Sequence, residues 1–231
     1  MKTSYLLLWF EGPLQSWGFD SRFSRRDTLR FPTKSGVYGL LLAATGASGA
    51  QSDLLSDLSG MRQNVIAYRP SDHPGTAPVL EDFHMIGSGY SEKDPWQTLF
   101  IPKTSAGKTA VGGGSKLTYR YYLQDAAFAV IQEIPDSFVE LMVSGLTTPV
   151  FPLHLGRKCC IPTEFIFQGV FQNIQSCEEA ARNIAAEKSK TVAFRVEDGE
   201  HEGEVMTLND VPLQFGDRKA YRDRTVTMIK E

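Results

Sequence analysis

Residues 4–10, Ser4-Tyr5-Leu6-Leu7-Leu8-Trp9-Phe10, form a continuous apolar run closed by Glu11-Gly12-Pro13. A run this short cannot make a core helix, and the Gly-Pro pair stops it, so it predicts a buried strand that opens the fold and enters the centre of a sheet. After a polar, arginine-rich loop comes Pro32-Thr33-Lys34-Ser35-Gly36, followed by Val37, Leu40, Leu41 and Ala44. That spacing predicts a helix capped by the Thr33/Ser35 pair and ending near Gly46 or Gly49. Its N-terminus is expected beside the basic loop.

Further on, residues 53–61 read as a short second helix, and 64–69 and 79–85 as strands. Residues 87–117 show no sustained periodicity and carry glycines at 87, 89, 107, 112, 113 and 114. So long a stretch inside a domain points to a functional insertion. Strand character returns over 118–134, and Pro135 starts a helix through Val143. Residues 148–152 are broken by proline; 166–171 read as strand, 177–188 as helix and 192–196 as strand. The acidic stretch 197–204 reads as a hairpin. This order predicts an α+β fold built as two halves, each a small sheet with helices on one face. The chain shows no internal repeat or linker.

The chain has 231 residues, 42% hydrophobic and 22% charged, which is globular composition and excludes wholesale disorder and coiled coil. Net charge is −3 and the pI about 5.9, so the average gives no sign of a polyanion partner. No apolar run approaches the ~18 residues of a membrane helix, and the first run lacks the form of a secretory signal. A cytoplasmic protein without membrane contact is expected. Cys159, Cys160 and Cys177 lack zinc-site spacing and read as ordinary thiols.

The charge is distributed unevenly. Residues 22–34 carry Arg22, Arg25, Arg26, Arg30 and Lys34 against Asp27, a local +4. Residues 103–120 carry Lys103, Lys108, Lys116 and Arg120 with no acid, and 217–230 reach +3. Residues 178–204 balance them at −4. Aromatic residues accompany the bases: Trp17, Phe19, Phe23, Phe31 and Tyr38 in the first cluster, Tyr119, Tyr121 and Tyr122 in the second. Cations beside rings suit a single-stranded nucleic acid, whose phosphates are neutralised while its bases stack. The same pattern is also that of a solvated face over core aromatics.

Other motifs point elsewhere and fail. Gly107-Lys108-Thr109 has Pro102 where a phosphate-binding loop needs its first glycine, and a glycine run instead of the following helix. Asp82 and His84 on one strand have no further metal ligand nearby, and residues 197–204 lack the spaced acids of a calcium loop. Neither metal nor cofactor is expected.

The chain does resemble a family. Tyr5-Leu6-Leu7-Leu8 with Gly12-Pro13-Leu14-Gln15-Ser16-Trp17-Gly18, and Arg30-Phe31-Pro32-Thr33-Lys34-Ser35-Gly36 leading to Gly39-Leu40-Leu41, look like the start of the CasD-type subunits of type I-E CRISPR Cascade, in the RAMP superfamily. Glu81-Asp82-Phe83-His84 resembles the family's stretch before its thumb. Leu155-Gly156-Arg157-Lys158-Cys159-Cys160-Ile161-Pro162-Thr163 resembles its L-G-R element, and Phe215, Arg218 and Tyr221 resemble its tail.

The resemblance implies a ferredoxin-like (RRM-like) palm, residues 1–86 and 118–231, with a β-rich second half and a protruding thumb, 87–117. It implies a non-catalytic subunit that caps the 5′ handle of CRISPR RNA, contacts the backbone and large subunits, and meets target DNA only through the complex. The expected RNA contacts are Trp17, Arg22, Arg25, Arg26, Arg30, Lys34, Ser35, Tyr38, Lys103, Lys108, Lys116, Arg120, Arg157, Lys158 and Arg218. A competing reading is a metal-independent endoribonuclease. Relatives in type I-C systems cut precursor CRISPR RNA with Tyr, Lys and His, and the counterparts here would be Tyr38 and His84, although no adjacent Lys-His pair is present. A third is a subunit that touches only protein, which the acid-free stretch 103–120 disfavours.

Overall fold

The first strand, β1 (Thr3–Glu11), is apolar throughout because both of its faces are covered. Alternate side chains of a strand point to opposite faces. Leu6, Leu8 and Phe10 enter one core and Leu7 and Trp9 a second. The first core is closed by α1 (Lys34–Thr45), α2 (Ser52–Ser59) and α3 (Val139–Thr147), which contribute Leu41, Leu55 and Met142 among others. The second is closed by α4 (Ile174–Glu187) through Cys177, Ala181 and Ala185. The computed structural model describes residues 2–19, 21, 24–73, 75–86, 93–96, 103–108 and 116–231, except the side chains of Ile86 and Lys116.

The main sheet also contains β4 (Gln63–Pro70), β7 (Ala127–Pro135), β8 (Phe167–Phe171), β9 (Lys190–Asp198), β10 (Glu204–Gln214) and β11 (Ala220–Lys230). Its seven strands run in the order β10-β11-β9-β4-β7-β1-β8, with every neighbouring pair antiparallel. A smaller sheet pairs β6 (Lys116–Gln124) with β2 (Leu14–Gln15), β3 (Arg25–Arg26) and β5 (Val79–Ile86).

Several expectations need correction. β1 is interior to the sheet but lies one strand from its edge, beside β8. The two expected half-sheets are one sheet, because β4 pairs with both β7 and β9 and so joins the later strands to the earlier ones. Helices cover both of its faces instead of one. Residues 197–204 do not form a hairpin: β11 lies between β9 and β10, so this segment crosses over it. The stretch 118–134 is two strands broken at Asp125, whose φ is 49°. The segment after Pro135 opens as a 3-10 turn before α3, which runs on to Thr147.

Both ends of α1 are set by single residues. Thr33 caps its start by accepting from the Gly36 amide at 3.2 Å, and Gly46, with φ 76°, ends it. Among the described residues no helix is long and apolar enough to cross a membrane, and no three metal-ligating side chains cluster.

Candidate nucleic-acid interface

Three adjoining hollows form a groove over the first turns of α1. The central one, about 520 Å³, is lined by Ser35, Gly36, Gly39, Arg26, Arg157 and Lys219, among others. A second, about 550 Å³, continues along α1 past Gly39, Ala43 and His154 to Lys158 and Phe151. The third, about 780 Å³, shares Gly18, Ser21, Ser35, Lys219 and Tyr221 with the centre and extends along β10 and β11. Gly36, Gly39 and Ala43 lie on one face of the helix, so the floor carries little side chain. A Cβ on Gly39 would meet nothing within 4 Å.

The charge over this floor comes from β3 and from loops held in place by packing. Arg157 lies over the Tyr122 ring, 4.7 Å to its centre, and donates to the carbonyls of Arg26 at 2.7 Å and Tyr121 at 3.3 Å. It fixes the backbone at Arg26, whose own side chain is exposed. Arg157 follows Gly156, where the chain crosses Ser16 so closely that a Cβ would stand 1.8 Å from the Ser16 carbonyl oxygen. Cys160 in the same element is buried and Cys159 exposed; burial pushes the Cys160 thiol up, and the Cys159 thiol adds to it.

The start of α1 is occupied from within. Its Lys34 amide donates to Asp210 Oδ2 at 2.7 Å, and its Gly36 amide to Thr33. A buried carboxylate therefore already answers the positive end of the helix dipole. The cations that remain to face the groove are side chains: Arg26, Lys158 and Lys219, beside Arg157.

The expected contacts divide. Arg26, Ser35, Arg157 and Lys158 line the groove. Arg25 lies over Tyr121 and pairs with Asp27 at 3.2 Å. Arg30 turns away to the Ala77 carbonyl, 2.9 Å off. Arg218 is exposed on the turn before Lys219, Lys103 and Lys108 are exposed, and Arg120 bonds to Thr118. Arg22 and the Lys116 side chain lie outside the described residues.

Three expectations placed core residues at the surface. Trp17 lines the central hollow but is 1% exposed, stacked on Phe10 and donating to Gln15, so its faces are already covered. Lys34 is 3% exposed and donates to the carbonyls of Met61 and Ser59. Tyr38 is fully buried, donates to the Leu58 carbonyl at 2.6 Å and accepts from Gln132. Burial pushes its phenol up, away from any base function. His84 lies on β5, 3.5 Å from Asp82 and not among the residues lining the groove. The two residues named for catalysis are thus apart.

Sequence reasoning missed His154, Lys219 and the wall role of Tyr221. The spacing Tyr221-x-Asp223 is a strand signal that turns both to one side of β11, and Lys219, just before the strand, lines the same hollow. His154 carries no such signal; its Nδ1 is buried and without a partner among the described residues.

A family model described as "CRISPR-associated protein (Cas_Cas5)" matches residues 5–227. The chain belongs to this CRISPR-associated family. It is 28% identical over 94% of its length to the CRISPR system Cascade subunit CasD of Escherichia coli (strain K12), covering 95% of that protein. Among solved structures it is similar to a chain of a "CRISPR RNA-guided surveillance complex", with TM-score 0.71, 26% identity and coverage of 98% of this chain and 89% of that one. It is also similar to a "Crystal structure of Cas protein", with TM-score 0.59, 26% identity and coverage of 98% and 94%. The family membership agrees with the resemblance carried by the glycine-proline, R-F-P-T-K-S-G and L-G-R motifs.

Proposed function

We propose that this chain is a non-catalytic subunit of a type I-E Cascade surveillance complex, working in the cytoplasm, that holds the 5′ handle of CRISPR RNA in the groove over α1. It contacts the backbone and large subunits and meets target DNA only through the assembled complex. The observation that carries this reading is the groove: a floor of glycine and alanine, cations from three separate segments at Arg26, Lys158 and Lys219, and aromatic walls at Phe215 and Tyr221. A flexible polyanion with stackable bases fits such a surface.

In this reading the palm is ferredoxin-like. Its support is the chain order β1-α1-β4-β7-α3-β8, a β-α-β-β-α-β unit whose strands lie side by side as β4-β7-β1-β8, with α1 and α3 packed on one face. The strands β9–β11 extend it as the β-rich second half. Residues 87–117 are the thumb. Ile86 and Lys116 are register partners, so the insertion leaves and returns at one point on the β5–β6 hairpin.

The test is guide-RNA retention across a salt series with Arg26→Glu/Lys219→Glu. Both side chains are exposed, so folding should be unaffected. Affinity should fall, and the slope of log affinity against log salt should drop by about one per lost phosphate contact. An unchanged slope with folded protein would reject the groove as the binding site. Metal-free incubation of the isolated chain with repeat RNA should leave it intact; site-specific cleavage would restore the endoribonuclease reading.

A further inference from the structure

The hollow at the β10–β11 end of the groove carries groups that phosphate binding alone leaves unexplained. Phe19 and Tyr221 supply rings, Lys219 an ammonium, and Asn209 with Asp223 a polar edge. Asn209 and Asp223 are direct register partners on adjacent strands, and the Asn209 amide nitrogen donates to Asp223 Oδ1 at 2.5 Å. That bond fixes the amide orientation. It leaves two acceptors, the Asn209 amide oxygen and the second oxygen of Asp223, with no other partner among the described residues. The neighbouring Asp210 differs: it is buried, and both its oxygens are taken by Arg224 and the Lys34 amide. Asp223 is the exposed carboxylate of this hollow.

A carboxylate in a channel for a polyanion lowers affinity by charge repulsion unless it meets hydrogen-bond donors. Paired acceptors beside a ring therefore select rather than merely hold. Among the four RNA bases only guanine presents two adjacent donors, N1–H and the N2 amine, on its Watson–Crick edge. Uracil offers one donor there, cytosine and adenine one amine each beside an acceptor.

We infer that this hollow is a guanine-selective slot, in which an unstacked guanine of the bound RNA packs on Tyr221 and donates its N1–H and N2 amine to Asp223 and Asn209. This rests on the groove being the RNA site. Lys219, just before β11 and lining the same hollow, neutralises the adjoining phosphate. Burial raises the Tyr221 phenol above its ordinary value, so the ring stays neutral at neutral pH.

The experiment measures binding of the full-length chain, by fluorescence anisotropy at fixed salt, to labelled eight-nucleotide oligouridylates carrying one guanine at each position in turn. Inosine, which lacks the N2 amine, and adenine replace the guanine in matched sets. One position should favour guanine over inosine, adenine and uracil by roughly tenfold or more, as expected of a two-hydrogen-bond base contact. Asp223→Asn should abolish that preference while binding of oligouridylate itself tightens, a gain that damage to the fold would not produce. Tyr221→Ala should weaken all oligonucleotides several-fold, and Tyr221→Phe should restore them. Tight RNA binding with no guanine preference at any position, or a preference that survives Asp223→Asn, would overturn the slot and leave the groove standing. Absence of binding to every oligonucleotide would overturn the groove, and the slot with it.

Discussion

Two glycines show how differently one residue type is used around the groove. Gly156 has φ 93°, and a Cβ there would drive into the Ser16 backbone. Ser16 cannot yield, because its amide donates to the Leu155 carbonyl at 3.1 Å. Gly39 sits mid-helix in α1 with open space where a Cβ would be, so packing does not require its lack of a side chain, which leaves the groove floor open. Gly156→Ala should therefore cost about 2 kcal/mol or more, from left-handed strain plus the clash, and should loosen Arg157 and the Arg26 carbonyl it holds. Gly39→Ala should gain up to about 1 kcal/mol from helix propensity while weakening RNA retention by filling the floor. Urea unfolding midpoints of the two variants should move in opposite directions; a Gly156→Ala midpoint equal to the parent's would show that the crossing at Ser16 does not constrain the fold.

Among the elements, the β5–β6 hairpin differs most from its surroundings. At its root Leu123 is fully buried, whereas further out Phe83 is 56% and Met85 51% exposed, on the same face as Tyr119 and Leu117. The Phe83 and Tyr119 rings meet at 5.3 Å, which gives the exposed strip some local order. Since the insertion departs and returns between register partners, replacing residues 87–115 by a short glycine-serine turn should leave the two sheets folded. The melting temperature by circular dichroism should stay within a few degrees of the parent's. Co-purification with partner subunits and guide RNA should fall sharply, since the proposed function makes this insertion a thumb that reaches them. A variant that no longer folds would show that the insertion belongs to the core, and one that assembles normally would remove the thumb from the interface.

Across the whole molecule, one buried charge cluster links the first part of the chain to the last. Lys34 at the start of α1 stands 3.8 Å from Asp198 on β9, and Arg224 on β11 bonds to both Asp198 and Asp210. Asp198 also accepts from the Gln63 amide on β4 at 3.1 Å. Burial pushes the Lys34 ammonium down to about 8; Asp198 acts against that shift, and Arg224 adds to it. Between pH 8 and 10.5 the unfolded chain holds this proton and the folded chain does not, so stability rises with pH across that window. The full rise is on the order of 3 kcal/mol. Cys177, whose thiol burial pushes to about 12, acts in the opposite sense above pH 9, and so does Cys160. The quantity to compare is therefore the parent minus Lys34→Met, measured by urea unfolding from about pH 7 to 10.5. A difference independent of pH would mean that Lys34 keeps its ordinary affinity for the proton.

Elements whose causes are local can be read directly from the chain. β1 was legible because burial on two faces demands an unbroken apolar run, and α1 because Thr33 and Gly46 mark its ends chemically. The motifs around Gly12-Pro13, Lys34 and Gly156 sufficed for the family. Strand order was not legible: whether 197–204 turns back on itself or crosses over β11 depends on pairings made by segments far apart in the chain. The same distance hid the fate of individual charges. Lys34 and Arg26 look alike in a basic loop, yet packing against Asp198 and the Met61 carbonyl encloses one, while Arg157 holds the other's backbone open to the groove. Trp17 and Tyr38 read as rings beside cations, and only the tertiary structure could show that Phe10, Leu58 and Gln132 already cover them. Composition counts a side chain's charge or ring; only packing decides whether that group faces solvent.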